Sequence, residues 1–431
     1  MSIALGRVPP ARPATGQPWL RSARWDLTFL ILSIALAAVP YSVFLIFGSS
    51  GSFEIKGTAA YNTRVLINTL VSILIGGPHM YATFTRTVMD PVFLRRRKWF
   101  IASTIMVPIL VIGLAVWSYE SYVWLLTIFF AFASLHALYQ IIWLSDAYNS
   151  KARPGSSWRG RIIDYGLVLT SLYPIATFKM VEGTFKIGPV SLRYHDVIGL
   201  LPGYRGDLGR TTIGGSLAID WNKIIGGQHY LSTLAFLAFA VLLLLWLAKT
   251  ASETRAGTLN LPKTLLIAVT ATLMFITPAA ANMDTAFQGV NTWHSFQYLA
   301  LTWYANRLLE QKTGRRLGFM HWPAPPRETR RRGRHAPQVG PWQRGKASAL
   351  RLLRRLDRGS GWTIFYLVCL AMLPISGLLI YGSPLIWPDL GSRGPGADEV
   401  YSYMGILSIL LVHYVQDALL FTDPKAIVEE S

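Results

Sequence analysis

Long apolar segments constrain the fold of this chain more than any other feature of its sequence. A span of about 20 mostly apolar residues crosses a bilayer as a helix, because a backbone in hydrocarbon has to satisfy its own hydrogen bonds. Of all residues, 52% are hydrophobic and only 15% are charged. The sequence therefore predicts an all-α, polytopic membrane bundle with about ten spans: 25–48, 64–86, 99–119, 122–146, 162–180, 229–248, 264–281, 285–306, 361–382 and 399–422.

Basic residues predict the orientation of the bundle. The N-terminal segment, alternate connections and the tail together hold 32 of the 41 lysines and arginines. Basic connections are retained on the cytoplasmic side, and an even number of spans places both termini on one side, so both termini are expected in the cytoplasm. The net charge of +19 then reflects membrane topology, and no nucleic-acid partner is expected.

The predicted domain organisation follows from the same pattern. A loop over 181–228 is expected on the outer face and a proline-rich, basic loop over 307–360 in the cytoplasm. The basic loop ends in leucines at helical spacing from Lys346 to Arg358, which favours an amphipathic helix on anionic membrane lipids. Flanking these loops are a cytoplasmic segment at 1–24 without a signal-peptide core, bundle helices over 25–306 and 361–422, and a tail at 423–431.

Four histidines fall inside predicted spans, and all four spans run from the outer face to the cytoplasm: His79, His136, His294 and His413. An ionisable side chain inside the membrane marks a functional-site hypothesis, and imidazole is the commonest metal ligand. At 1.5 Å per residue the four rings are expected about 10 to 20 Å above the inner boundary. We therefore predict that they meet in one layer of the bundle.

Each of these histidines has polar residues within about one helical turn, as metal-bound imidazoles usually do. Of these polar neighbours, we interpret four as candidate catalytic residues: Asp417, Tyr298, Gln297 and Gln416. We interpret three more as candidate cofactor-binding residues: Gln140, Thr83 and Arg86. Structural readings stay open for these residues. A histidine can be a hydrogen-bonded packing residue, Arg86 can mark the interface by snorkelling, and Asp417 can belong to a proton path.

The donor set limits the possible cofactor. The chain has a single cysteine, Cys369, so a zinc site with several thiolates is excluded within one chain. Four neutral nitrogen ligands suit iron, copper or zinc better than magnesium or calcium. The other four histidines are expected to have no ligand role. His229 lies near the outer interface, and three lie in loops: His195, His321 and His335.

One short motif adds a resemblance. Gly76-Gly77-Pro78 directly precedes His79, so the second span is expected to kink or unwind there. The run GGPHMYATFTR resembles the Gly-x-Pro-His segment of Brp/Blh-type bacterial membrane proteins, which cleave β-carotene to retinal with iron held by histidines on several helices. The resemblance implies a metal-ligand role for His79. The chain differs from that family in having Thr83 where the family tends to carry an acid.

The leading hypothesis is a non-haem iron enzyme of the bacterial inner membrane. It would use O₂ on a lipophilic substrate that enters from the lipid, with the four histidines as ligands and a redox partner at the cytoplasmic face. Two alternatives stay open. The four histidines could form axial pairs for b-type haem in an electron carrier, or His413 and Asp417 could belong to a proton-coupled transporter.

Overall fold

The computed structural model describes residues 18–48, 50–52, 54–152, 157–201, 229–280, 282–313, 361–394 and 396–420. These residues form a helical bundle with one short hairpin. The helices are α1 (Ala23–Phe47), α2 (Ala59–Arg86), α3 (Pro91–Trp117), α4 (Tyr119–Ala152), α5 (Trp158–Thr170), α6 (Tyr173–Val181), α7 (Tyr194–Gly199), α8 (Tyr230–Arg255), α9 (Leu261–Ile276), α10 (Met283–Thr313), α11 (Trp362–Ile386) and α12 (Val400–Leu420). The strands are β1 (Lys186–Ile187) and β2 (Val190–Ser191).

Seven of these helices are long and apolar enough to cross a membrane: α1, α2, α3, α4, α8, the α9 segment extended to Ala279, and α11. The protein is therefore an all-α, multi-pass membrane bundle. Two further predicted spans, 285–306 and 399–422, correspond to α10 and α12, which carry more polar residues. The span predicted over 162–180 is not one helix, because the chain breaks at Ser171 between α5 and α6.

Helix α10 lies at the centre of the bundle. It packs on α1, α2, α9 and α11, and most of its described side chains are buried. The approach to α1 is especially close at Gly289, where an added Cβ would lie 2.1 Å from the carbonyl oxygen of Ala37. Because α10 is enclosed by protein, it can carry polar side chains that a lipid-facing helix would expose to hydrocarbon.

The glycine–proline segment before His79 alters the helix without unwinding it. Residues Ser72–Gly76 form a single π-helical turn, and α-helix resumes at Gly77 with Pro78 in its first turn. The predicted irregularity is thus present as a π-turn. Glycine is required at Gly77, because an added Cβ would lie 2.6 Å from the backbone carbonyl oxygen of Ser72 as well as 2.2 Å from the side chain of Leu373 on α11.

The outer loop begins with the hairpin that the alternating sequence predicts. Strands β1 and β2 pair antiparallel around Gly188 and Pro189, and Gly188 has a φ of +52°, which favours glycine. Ile187 and Val190 point into the bundle and are buried. Much of the outer loop, the amphipathic segment from Lys346 to Arg358, and the loop histidines at 321 and 335 lie outside the described residues.

A buried ion cluster joins three of the helices. Arg64 on α2 is fully buried and donates to Asp284 on α10 at 2.8 Å, and it also pairs with Glu399 directly before α12. Asn68, one turn along α2, donates to the same carboxylate of Asp284 at 2.8 Å. Since α2, α10 and α12 carry His79, His294 and His413, this cluster fixes three of the four histidine-bearing helices against one another.

Replacing Arg64 tests the importance of the cluster. Arg64→Leu leaves the carboxylates of Asp284 and Glu399 without their cation, and breaking a buried pair in this way costs about 3–5 kcal/mol. The matched control is Lys186→Gln, which removes an exposed pair with Glu54 at 3.4 Å and should cost at most about 1 kcal/mol. Unfolding of the purified proteins in detergent measures both values. Equally small losses of unfolding free energy in both variants would contradict the role of the ion cluster in holding the helices together.

Candidate metal centre

The four intramembrane histidines lie together in the middle of the bundle. The ring centroid of His79 lies 5.0 Å from that of His294 and 4.4 Å from that of His413. The ring of His136 lies 5.1 Å from His294 and 5.3 Å from His413. Four helices, α2, α4, α10 and α12, each contribute one ring, so the predicted convergence is confirmed.

Several polar atoms at this point have no hydrogen-bond partner among the described residues. Both ring nitrogens of His79, the Nε2 atoms of His136, His294 and His413, and Oδ2 of Asp417 are buried without one. A buried polar atom without a partner costs about 1–3 kcal/mol, and native proteins retain few of them. Six such atoms lie together here, which makes this place the candidate site for a ligand.

The positions of these atoms fit a metal ion. Candidate ligand atoms of His79, His136 and His294 lie within 4.8 Å of one another, and so do those of His136, His413 and Asp417. Two imidazole nitrogens on one zinc-sized ion lie at most about 4.2 Å apart, because each bond is about 2.0–2.1 Å long. The two groups share His136, so each offers three candidate ligand atoms to an ion beside that histidine.

Asp417 thus belongs with the candidate ligands and not only with the catalytic candidates. Its Oδ2 lies 3.5 Å from Nε2 of His413 and 3.9 Å from Nε2 of His136. Its other oxygen, Oδ1, accepts hydrogen bonds from Thr83 at 2.8 Å and from the hydroxyl of Tyr298. The carboxylate is therefore held by one oxygen and presents the other to the imidazoles.

Thr83 organises this side of the centre. Its hydroxyl contacts Oδ1 of Asp417 at 2.8 Å, Nδ1 of His413 at 2.5 Å and the hydroxyl of Tyr298 at 2.7 Å. A threonine hydroxyl has one hydrogen. If that hydrogen goes to the carboxylate, the bond to His413 is donated by its Nδ1–H, which leaves the lone pair on Nε2 for a metal. The hydroxyl at the position where an acid was expected by resemblance thus binds the carboxylate of Asp417.

Tyr298 also lies against the histidine rings. Its ring centroid is 4.7 Å from that of His79 and 5.0 Å from that of His413, edge to face in both cases. Its hydroxyl reaches both Thr83 and Asp417. Of the four predicted catalytic residues, Tyr298 and Asp417 are the two that the structure brings into direct contact with the centre.

The predicted glutamines make their hydrogen bonds elsewhere. Gln297 donates to the carbonyl of Leu30 on α1 and accepts from Gln140 on α4, both at 2.6 Å. Gln416 accepts from Thr87 at 2.7 Å and donates to Thr104 at 3.3 Å. These amides therefore join neighbouring helices, and the structure gives none of them a contact with the rings.

Arg86 and two histidines that were expected to have no ligand role lie outside the group of four rings. Arg86 is half-buried at the end of α2, nearly one turn beyond Thr83, and its charge acts on the carboxylate of Asp417. His229, expected at the outer interface, pairs with Glu182 at 2.9 Å, and His195 pairs with its neighbour Asp196 at 2.8 Å. These contacts give both histidines carboxylate partners of their own.

An apolar cavity of about 270 Å³ adjoins the centre. His294 and Tyr414 form its inner wall, and side chains of α4, α6, α9 and α10 and of the outer hairpin form the rest. Tyr414 stacks on His136 with ring centroids 4.1 Å apart. A smaller cavity reaches His79 from another side, and Asn291 borders both cavities.

Sequence reasoning missed Tyr414 and Asn291. Tyr414 directly follows His413, so it does not share that histidine's helical face, and its role depends on contact with His136 of another helix. Asn291 lies three residues before His294, on the same face of α10. Its polarity at helical spacing was a usable signal, although the sequence gives no sign of the cavities it borders.

Fold and site together define a class: a multi-pass helical membrane protein with a buried cluster of four histidines and one carboxylate. Comparison with protein-family models, with curated proteins and with solved structures finds no match for this chain. The functional argument therefore depends on the geometry of the centre itself.

The unpaired nitrogens of His79 give a test that needs no activity. In metal-free protein, His79→Leu removes two buried atoms that have no partner, so the free energy of unfolding should stay equal or rise. Gln297→Leu is the contrasting variant. It leaves the Leu30 carbonyl and the Gln140 amide unpaired, and should cost about 1–3 kcal/mol. Chemical unfolding after chelator treatment measures both; a large loss for His79→Leu would show that its ring is structural.

Proposed function

We propose that this protein is an integral-membrane metalloenzyme, a non-haem iron oxygenase-type enzyme that acts on a lipophilic substrate. The observation that carries the proposal is the convergence of four buried side chains and the half-buried His136, each with at least one unpaired polar atom, from four helices. Structural histidines are normally satisfied by hydrogen bonds. A packing role is a poor explanation for one imidazole with an unpaired nitrogen. It is a worse explanation for four such imidazoles in contact.

In this proposal His79, His136, His294 and His413 hold the metal, with Asp417 as a fifth candidate ligand. A set of imidazoles with a carboxylate suits iron, and copper or zinc are the other metals that imidazole binds well. Iron would supply the redox chemistry needed to use O₂. Thr83 and Tyr298 would hold the Asp417 carboxylate and the His413 ring in their ligating orientation, the usual task of groups behind metal ligands.

The spacing of the rings favours a bound ion over haem. Neighbouring ring centroids lie 4.4 to 5.3 Å apart, and Tyr298 and Tyr414 fill positions beside them. Axial histidines on haem have to leave room for the whole macrocycle between them. The four rings leave no flat space of that size in this arrangement.

The apolar cavity supports a lipophilic substrate. Ligand pockets are mostly apolar with a few convergent polar groups, and here the polar groups are at the metal centre. A proton-coupled transporter would need a polar route along the helices, and the cavity walls do not supply one among the described residues. The cavity beside the centre therefore supports an enzyme with a lipophilic substrate over a transporter, and O₂ is proposed as the second substrate from the chemistry of iron.

The proposal includes a topology: ten spans in a bacterial inner membrane, both termini in the cytoplasm, with lipids and a cytoplasmic redox partner around the bundle. The distribution of basic residues supports it. Helices α10 and α12 have the length to cross, and α5 and α6 together would make the tenth span. A fluorescent protein fused to the C-terminus should fluoresce in bacterial cells, and an alkaline phosphatase fusion at the same point should be inactive. The opposite pair of results would contradict a cytoplasmic C-terminus.

Metal analysis tests the function most directly. Purified wild-type protein should contain one equivalent of iron, and His136→Ala or His294→Ala should lose it, since each removes a ligand. The matched control is His229→Ala, which removes a histidine paired with Glu182 and should retain the metal.

Two results would overturn the proposal in different ways. A strong Soret band in the absorption spectrum of the wild-type protein would mean that the histidines bind haem. The proposed metal site would be wrong if the wild-type protein contained no stoichiometric transition metal and both ligand variants had the same metal content as the wild type.

A further inference from the structure

We propose that the apolar cavity is a substrate chamber filled sideways from the bilayer, through a portal between α4 and the junction of α5 with α6. Its ligand would be a neutral, lipid-soluble molecule with at most one hydrogen-bonding group at the reacting end. This inference deepens the proposed function and rests on it for the role of the chamber.

The portal is a gap beside the break in the predicted 162–180 span. The helical hydrogen-bond pattern is interrupted at Ser171 and Leu172, although both keep helical backbone angles, and the half-buried side chains of Leu172 and Tyr173 line the cavity. Helix α4 packs on α3, α5 and α9 and has little close backbone contact with α6, so the portal would lie between α4 and α6.

On the α4 side, the portal borders an apolar outer surface. Ala131 and Ser134 are half-buried and Leu135 is 44% exposed, and all three line the cavity. Beside them runs a stripe of exposed apolar residues at helical spacing: Ile128, Phe132, Leu135 and Tyr139. In a membrane helix such a stripe faces lipid, so the portal opens onto hydrocarbon at the depth of His136.

The outer end of the chamber is closed by the described part of the outer loop. Phe185 and Ile187 of the hairpin region are buried and line the cavity. The hydroxyl of Tyr194 donates to the carbonyl of Thr127 on α4 at 3.0 Å, and the backbone N–H of Arg193 donates to the Thr127 hydroxyl at 3.0 Å. These bonds fasten this part of the outer loop, which caps the chamber, to α4.

Polarity within the chamber is confined to one end. Thr277 and Ser134 already donate to backbone carbonyls, and Tyr194 is bonded as described. Nε2 of His294 is unpaired, and the hydroxyl of Tyr414 makes no hydrogen bond within the described residues. Both lie at the metal-centre end, so a ligand's single polar group would be directed there and its apolar part toward the cap.

The size of the chamber limits the ligand further. About 270 Å³ lies just below the usual range of roughly 300–1,000 Å³ for ligand pockets. A charged molecule would lose its hydration without gaining a partner in these walls. The chamber therefore suits one neutral lipophile.

Photolabelling tests the portal. Protein in vesicles of neutral phospholipid is irradiated with an uncharged alkyl diazirine, and labelled residues are located by mass spectrometry. Wild type should be labelled at the chamber residues Met180, Phe287 and Tyr414, and also at the exposed Leu244 and Leu378, which act as the internal reference. Ala131→Trp should lose the chamber labels and keep the reference labels. Leu135→Trp, at the more exposed rim, should do the same.

The matched control is Ala238→Trp, an exposed position on α8 away from the cavity, which should keep every label. Unlabelled chamber residues in wild type, or chamber labels that persist in both portal variants, would overturn the inference. So would labelling of the chamber by a sulfonated, water-soluble diazirine, because that route starts from water. Iron content is measured on the same samples. If the metal site is wrong, the protein lacks iron but keeps the labelling pattern. If the portal is wrong, the labelling pattern differs from the one expected but the iron is still bound.

Discussion

The arrangement of this bundle depends on burying unpaired imidazole nitrogens and one carboxylate oxygen between helices. Such atoms are costly in a low-dielectric interior, so the surrounding helices have to be held firmly enough to keep them together. Helix α10 meets this demand by lying at the centre, where polar side chains are shielded from lipid. Thr83 meets it locally, by contacting three polar groups of the centre with one hydroxyl.

Two buried ion clusters hold the helices around this centre. At one, Arg64 joins α2, α10 and the start of α12. At the other, Asp164 on α5 pairs with Lys249 on α8 at 2.8 Å and with Lys263 on α9 at 2.9 Å. A buried pair is weak evidence for net stability, because desolvation offsets the attraction. Its directional bonds nevertheless specify which helices lie side by side, a choice that apolar packing in a membrane leaves open.

The histidine layer could be predicted from the sequence because depth in a membrane helix follows from residue counting. The partners of each histidine could not be predicted in the same way. Gln297 and Gln416 share helical faces with their histidines, yet they bond to Leu30 and Thr87. Asp417 was identified as a polar neighbour, and only the distances to His136 and His413 make it a candidate ligand. The span over 162–180 was predicted as continuous, since hydropathy does not register a break at Ser171.

The sequence by itself determined the membrane class, the helical architecture and the four residues at one depth, because hydrophobic length and rise per residue are local properties of the chain. The tertiary structure decided which atoms face each other and where the cavity lies. These depend on the rotation of each helix about its axis and on its choice of neighbours. Both are set by contacts between residues far apart in the chain, such as Arg64 with Glu399 and Thr83 with Asp417.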